Sequence, residues 1–192
     1  MKRDQLYLMV VSAMLIAIGI IIPILSPVKI LLEPASFTLA SHVAIFIAMF
    51  ISPISAVAVS IGTTLGFLLA AYPIVIVMRA AVHIIFALAG ALILRKNPTI
   101  LDRTVPLILF STLISLLHGI SELLVVMPFY FGNQLTNEAW YSRGFLISVV
   151  LLVGVGTVLH SLVDFFIARG IWIPLKKLNQ RLLGHRALPP AI

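Results

Sequence analysis

From Leu6 to Leu25 the chain is apolar apart from Tyr7 and Ser12, and five further apolar stretches follow with only short polar connections between them. A helical run of about 20 residues, rising about 1.5 Å per residue, spans the roughly 30 Å hydrocarbon layer of a bilayer. In lipid every backbone N–H and C=O must be bonded within the protein, so runs of this kind cross as helices. Of the 192 residues, 61% are hydrophobic and 10% charged, against about 45–50% and about 25% in soluble domains. The pattern predicts an all-α integral membrane protein folded as a single membrane domain over 1–192. No length remains for an ATPase or another sizeable aqueous domain. The chain has no cysteine, which excludes disulfides, thiolate chemistry and sulfur-ligated metals.

Six transmembrane helices are expected, over 6–25, 38–51, 54–71, 73–94, 105–127 and 145–172. The first is too long for the apolar core of a signal peptide and has no small-residue cleavage site after it. Ser52-Pro53 divides the second from the third, and Pro73 is a favoured first residue for the fourth. The second is short for a full crossing. Ten of the thirteen Lys and Arg residues fall on one side: Lys2, Arg3, Arg95, Lys96, Arg103, Arg169, Lys176, Lys177, Arg181 and Arg186. The positive-inside rule then puts both termini in the cytoplasm and loops 26–37 and 128–145 outside. The basic tail 173–192 reads first as an anchor to anionic lipid headgroups, so the net charge of +7 does not point to nucleic acid.

Ionisable side chains inside a span cost about 2.5–3.5 kcal/mol each on insertion scales, so their positions mark partners or function. Here they are His42, Arg79, His83, His118, Glu122, His160 and Asp164. Arg79/His83, His118/Glu122 and His160/Asp164 have the i, i+4 spacing that stacks two side chains on one helix face. Entering from outside at Pro73, the chain carries Arg79 about 9 Å down. Glu122 and His42 fall at similar depth, so Arg79, His83, Glu122 and His42 are expected to converge beneath the outer loops. A guanidinium offers a planar fork of donors to a carboxylate. Arg79 therefore either grips an anionic ligand or forms a structural pair with Glu122, and the two readings are compatible because a ligand carboxylate competes for the same group.

His118 is deeper, and His160 with Asp164 reads as a local pair or a tie to a neighbouring helix. A metal bound by His118, Glu122, His160 and Asp164 is not expected, since no HExxH is present and separate helices would have to bring the ligands together. Outer loops carrying Pro27, Lys29, Glu33, Pro34, Phe37, Tyr130, Asn133, Asn137, Trp140 and Tyr141 suit lids over a pocket, with Phe37 and Asn133 among the contacts; interfacial anchoring of Trp140 and Tyr141 is the alternative. Ala13 and Ala17 form an AxxxA face, and Gly62 and Gly66 a GxxxG face expected to pack internally.

Six spans with both ends inside, the AxxxA of the first helix, and the stretches Pro34-Ala-Ser-Phe-Thr-Leu-Ala-Ser-His42, Ala48-Met-Phe-Ile-Ser-Pro53, Gly62-Thr-Thr-Leu-Gly66 and Arg79-Ala-Ala-Val-His83 resemble the substrate-binding S-components of energy-coupling factor vitamin transporters. The resemblance covers residues 6–172. It implies a multi-pass prokaryotic cell-membrane protein that captures a vitamin from outside and has no enzymatic activity or cofactor of its own. It also implies a transmembrane coupling subunit and two cytoplasmic ATPases as partners, with ATP used by those partners and Ala13 and Ala17 at the subunit contact. The substrate-binding set expected is Arg79, His83, His42, Glu122, His118, Asn133 and Phe37. Arg79 favours a carboxylate-bearing vitamin. Amides and hydroxyls near the mouth rank pantothenate first, with nicotinate next and pyridoxine or a hydroxymethylpyrimidine third.

Two other classes compete. An intramembrane hydrolase would use Ser115 or Ser121 beside His118, although no GxSxG is present. A membrane scaffold would explain the small-residue faces but not the buried Arg79, His83 and Glu122. A stand-alone carrier would be expected to show an inverted repeat, and none is evident.

Overall fold

In a computed structural model the described residues are 3–32, 35–135 and 138–183. Glu33, Pro34, Asn137 and Arg186, named above, lie outside them, as does Lys2, and so does the end of the basic tail from residue 184. The elements run α1 (Arg3–Leu25), β1 (Lys29–Leu32), β2 (Ala35–Thr38), α2 (Val43–Ile51), α3 (Pro53–Leu69), α4 (Ile74–Lys96), a 3-10 turn (Ile100–Asp102), α5 (Thr104–Phe131), the short α6 (Ala139–Ser142), a π-helical stretch (Leu146–Val155) and α7 (Gly156–Leu183). The protein is a helical membrane protein. Among the described residues the apolar helical segments are α1, α2, α3, α4, α5 and the π-helical stretch continued by α7. Among the described residues, four are long and apolar enough to cross a membrane: Gln5–Leu25, Ile74–Lys96, Thr104–Phe131 and Leu146–Lys177.

The two shorter ones differ in kind. The α3 helix has 17 residues, about 25 Å. The α2 helix has nine, about 13 Å, and cannot cross by itself. Instead α2 is the central post of the bundle, touching α1, α3, α4 and α7. Val43 through Met49 are all buried, which is how a helix apolar on every face behaves when other helices surround it. Phe46 stacks edge-on against Phe165 at 5.3 Å between ring centroids, tying α2 to α7. Ser52 closes α2 and opens α3, its Oγ accepting from Ser55 N at 3.1 Å with Pro53 at the first helical position. Ser12 of α1 donates to Ser55 Oγ at 3.1 Å, a polar tie between these helices inside the bundle.

The glycine face of α3 packs against α1. A Cβ on Gly62 would come within 2.5 Å of Ile16 Cδ1, and one on Gly66 would collide with Ile20. Ser12, Leu15 and Gly19 face inward on α1, while Ala13 and Ala17 are exposed on its other side.

Three expectations change. The second helix begins at Val43 rather than Thr38, because β1 and β2 form an antiparallel hairpin with Lys29 opposite Thr38 and Leu32 opposite Ala35. The hairpin is followed by a turn in which Ala40 takes φ 67°. The sixth helix opens as a π-helix and ends as α7 eleven residues beyond Trp172, at Leu183. The first part of the basic tail is thus helix, and Lys176 Nζ lies 3.2 Å from Asp102 Oδ2. Finally, Trp140 is buried, and its carbonyl accepts from Ser148 Oγ at 2.6 Å, so it is not a lipid-interface anchor.

Candidate functional site

Four elements deliver the ionisable residues to one place. The α4 and α5 helices run side by side, so the i, i+4 pairs Arg79/His83 and His118/Glu122 face each other. The turn after β2 brings in His42, and α7 supplies Thr157, His160, Ser161 and Asp164 on one face. Close approach of α5 to the last helix depends on Gly119, where a Cβ would sit 2.8 Å from Gly154 O and 2.6 Å from Val158 Cγ2.

Glu122 is the first node. Its Oε2 accepts from Arg79 Nε at 3.0 Å and Nη2 at 2.6 Å, and from Thr157 Oγ1 at 2.7 Å. Its Oε1 meets His83 Nε2 at 3.1 Å. His118 Nε2 is 3.3 Å from the same oxygen but is not aligned for a hydrogen bond with it and has no other among the described residues. The other nitrogen of that ring, Nδ1, is satisfied by Ser161 Oγ at 3.1 Å. Arg79 and Glu122 are both nearly inaccessible. Charge and hydrogen bonds offset much of the cost of burying this pair; removing one member would leave the other uncompensated.

Asp164 is the second node and is wholly buried. Oδ1 accepts from the backbone N–H of Ala40 at 2.8 Å. Oδ2 accepts from the backbone N–H of His42 at 2.9 Å and contacts His42 Nδ1 at 3.1 Å. His160 Nε2 stands 3.2 Å from Oδ2 and 3.1 Å from Ser41 Oγ. A carboxylate here binds the open N–H groups that precede α2, as an anion does at a helix N-terminus. Asp164 thereby holds the left-handed turn at Ala40 in place.

His42 joins the two nodes. Its ring lies edge-on to His83 at 4.8 Å, His118 at 4.7 Å and His160 at 5.1 Å between centroids. Phe37 of β2 covers the group, 5.4 Å from His160, with its ring against Gly156, where a Cβ would come within 2.5 Å of Phe37 Cζ. The result is a packed cluster of four imidazoles, one guanidinium and two carboxylates.

The expected convergence of Arg79, His83, Glu122 and His42 therefore occurs, and His118 and Phe37 join it. Arg79 pairs with Glu122 in this structure. Asn133 does not join: it is exposed, with φ 53°, in the turn that ends α5. The metal grouping set aside in the sequence is not brought together as one set either. His118 and Glu122 gather with His42 and His83, whereas His160 and Asp164 group with His42. The hydrolase reading finds no nucleophile–base pair at either named serine. Ser121 Oγ donates to Leu117 O at 2.7 Å, Ser115 Oγ has no hydrogen bond among the described residues, and it is the wholly buried Ser161 that meets His118.

Thr157, Ser161 and Ser41 were missed. Thr157, Ser161 and Asp164 recur at i, i+4, i+7 in the sequence, the one-face signature of a helix, and that spacing was the available signal. Ser41 lies in a turn, where no periodicity marks it.

No protein-family model matches the chain, and no solved structure is significantly similar to it. Among curated proteins, the chain is 37% identical over 176 residues to the niacin transporter NiaX of Lactococcus lactis subsp. cremoris (strain MG1363), an alignment covering 92% of this chain and 78% of that protein.

Proposed function

The chain belongs to the vitamin-transporter family that includes the niacin transporter NiaX, and from that premise we propose that it is the nicotinate-binding S-component of an energy-coupling factor importer. It is a transporter component rather than an enzyme. The observation that carries the ligand assignment is the buried guanidinium of Arg79 inside a wall of imidazole rings, in a chain similar to a niacin transporter. Nicotinate is a flat aromatic ring bearing one carboxylate. Arg79 supplies the fork that a carboxylate accepts, while His42, His83 and His118 supply edges and faces for a pyridine ring. Pantothenate, ranked first from the amides of the outer loops, loses that support because Asn133 stands apart from the cluster.

The ligand enters by competing for Arg79. Both Arg79 nitrogens that reach Glu122 donate to a single oxygen, Oε2, and Thr157 donates to it as well. A nicotinate carboxylate takes over part of the guanidinium while Thr157 and His83 continue to satisfy Glu122. Phe37 and the β1–β2 hairpin form the lid on the outer side, moving to admit the ring and closing over it. In this arrangement all six helical segments belong to the membrane, both termini are cytoplasmic, and the protein resides in the cell membrane. A coupling subunit docks on the exposed Ala13/Ala17 face of α1, and two cytoplasmic ATPases supply the energy.

The test is titration of the detergent-purified chain with nicotinate, pantothenate and pyridoxine, following Trp140 fluorescence with Trp140→Phe as control. Saturable binding of nicotinate alone supports the proposal. Pantothenate or pyridoxine binding in its place would overturn the ligand assignment.

A further inference from the structure

We propose that His42, His83, His118 and Glu122 together hold a divalent transition-metal ion of the Zn2+ type, and that this ion gives the cluster its affinity for an anion. The first half stands on the geometry alone; the second rests on the nicotinate reading above.

One ligand atom from each of these four residues can be chosen so that all lie within 4.8 Å of one another. A tetrahedral ion bound at about 2.0–2.2 Å sets its ligands about 3.3 Å apart. The contacts of Glu122 Oε1 with His83 Nε2, at 3.1 Å, and with His118 Nε2, at 3.3 Å, already have that spacing. Three imidazoles and a carboxylate suit Zn2+ and its neighbours. All four residues are buried.

A second observation points the same way. His118 Nε2 is wholly buried, faces Glu122 Oε1 at 3.3 Å and makes no hydrogen bond with it. In the tautomer in which Nδ1–H donates to Ser161 Oγ, 3.1 Å away, Nε2 turns a lone pair toward that carboxylate, a contact that a cation bound by both atoms makes favourable; in the other tautomer Nε2–H faces Oε1 without forming a hydrogen bond. His42 is oriented in the manner of a metal ligand too: its Nδ1 is turned to Asp164 Oδ2 at 3.1 Å, which leaves Nε2 available. A carboxylate behind a histidine in this way fixes the tautomer and strengthens the ligand.

Charge supplies the link to function. With the imidazoles neutral, the cluster holds one guanidinium, Arg79, against two carboxylates, Glu122 and Asp164. Its net charge is then negative, which disfavours a monocarboxylate in a low-dielectric site. A divalent ion reverses the sign and leaves one positive charge, which a single bound monocarboxylate neutralises.

The experiment uses the full-length protein in detergent, stripped with EDTA and titrated with Co2+, then Zn2+, with nicotinate affinity measured before and after loading. The expected result is one equivalent of Co2+ showing the visible absorption of a tetrahedral ion, displaced by Zn2+. Co2+ affinity should fall at least tenfold in His118→Gln and in His83→Gln, made separately so that a misfolded variant does not decide the matter. Nicotinate affinity should rise at least tenfold on loading. Absence of Co2+ binding by the wild-type protein overturns the metal site while leaving the nicotinate reading to its own titration. Co2+ binding with unchanged nicotinate affinity overturns the role in anion capture. Co2+ binding with no nicotinate bound in either state supports the metal site and overturns the ligand assignment.

Discussion

Replacing Asp164 tests whether a single buried carboxylate organises the turn that carries His42. Oδ1 accepts from Ala40 N at 2.8 Å, and Oδ2 accepts from His42 N at 2.9 Å and contacts His42 Nδ1 at 3.1 Å. Asp164→Ala leaves two backbone N–H groups without partners, one buried and one partly buried, at about 1–3 kcal/mol each. It also releases Ala40, whose φ of 67° costs about 1–2 kcal/mol in a non-glycine residue and persists only while neighbours hold it. The relaxation of Ala40 offsets part of the loss, so a net destabilisation of about 1–4 kcal/mol is expected. For a chain of 150–250 residues that lowers Tm by about 2–16 °C. Asp164→Asn is the sharper variant. Both oxygens are occupied by N–H donors, so whichever way the amide turns, its NH2 faces a donor, and Asn should fall close to Ala rather than close to the wild type. The assay is thermal unfolding of the detergent-purified chain, read as the loss of monodisperse protein on size exclusion after heating. An Asp164→Asn protein melting within about 1 °C of the wild type would refute the assignment of two accepting oxygens.

Further outcomes follow from the same geometry. Arg79→Ala removes the guanidinium from Glu122 and should weaken nicotinate binding at least a hundredfold in a direct titration; it also destabilises the fold by about 3–5 kcal/mol, as breaking one side of a buried pair does. Gly119→Ala places a Cβ 2.8 Å from the backbone oxygen of Gly154, whereas Gly62→Ala meets the flexible end of Ile16, so the first should cost about 1–3 kcal/mol in melting experiments and the second less. Ala13→Trp lies on the exposed side of α1 and should leave Tm and nicotinate binding unchanged while abolishing co-purification with the coupling subunit.

Much of this arrangement is legible in the residues themselves, where a physical constraint acts locally. Long apolar runs must be helical in lipid, so α1, α4 and α5 emerge within a few residues of their expected bounds. The i, i+4 spacing by itself places Arg79 with His83 and His118 with Glu122. Features set by tertiary contact were not legible. The residues 35–38 pair with 29–32 as a hairpin, and no strong turn dipeptide announces it. The short α2 is a central post rather than a crossing because other helices surround it, and its sequence, apolar on every face, fits either role. The chemistry of Asn133 suits the site, but the end of α5 turns it outward. The convergence of His42 with α4 and α5 depends on Asp164, 122 residues away in the chain, a distance across which sequence spacing carries no information.

The central claim is that Arg79 and the surrounding histidines bind nicotinate through its carboxylate. Equilibrium titration of the purified wild-type chain and of Arg79→Ala with nicotinate and with nicotinamide, the uncharged amide, tests it most directly. The account predicts saturable nicotinate binding to the wild type, at least tenfold weaker binding of nicotinamide, and loss of nicotinate binding in Arg79→Ala. Equal affinity for the acid and the amide, or nicotinate binding that survives in Arg79→Ala, would contradict it.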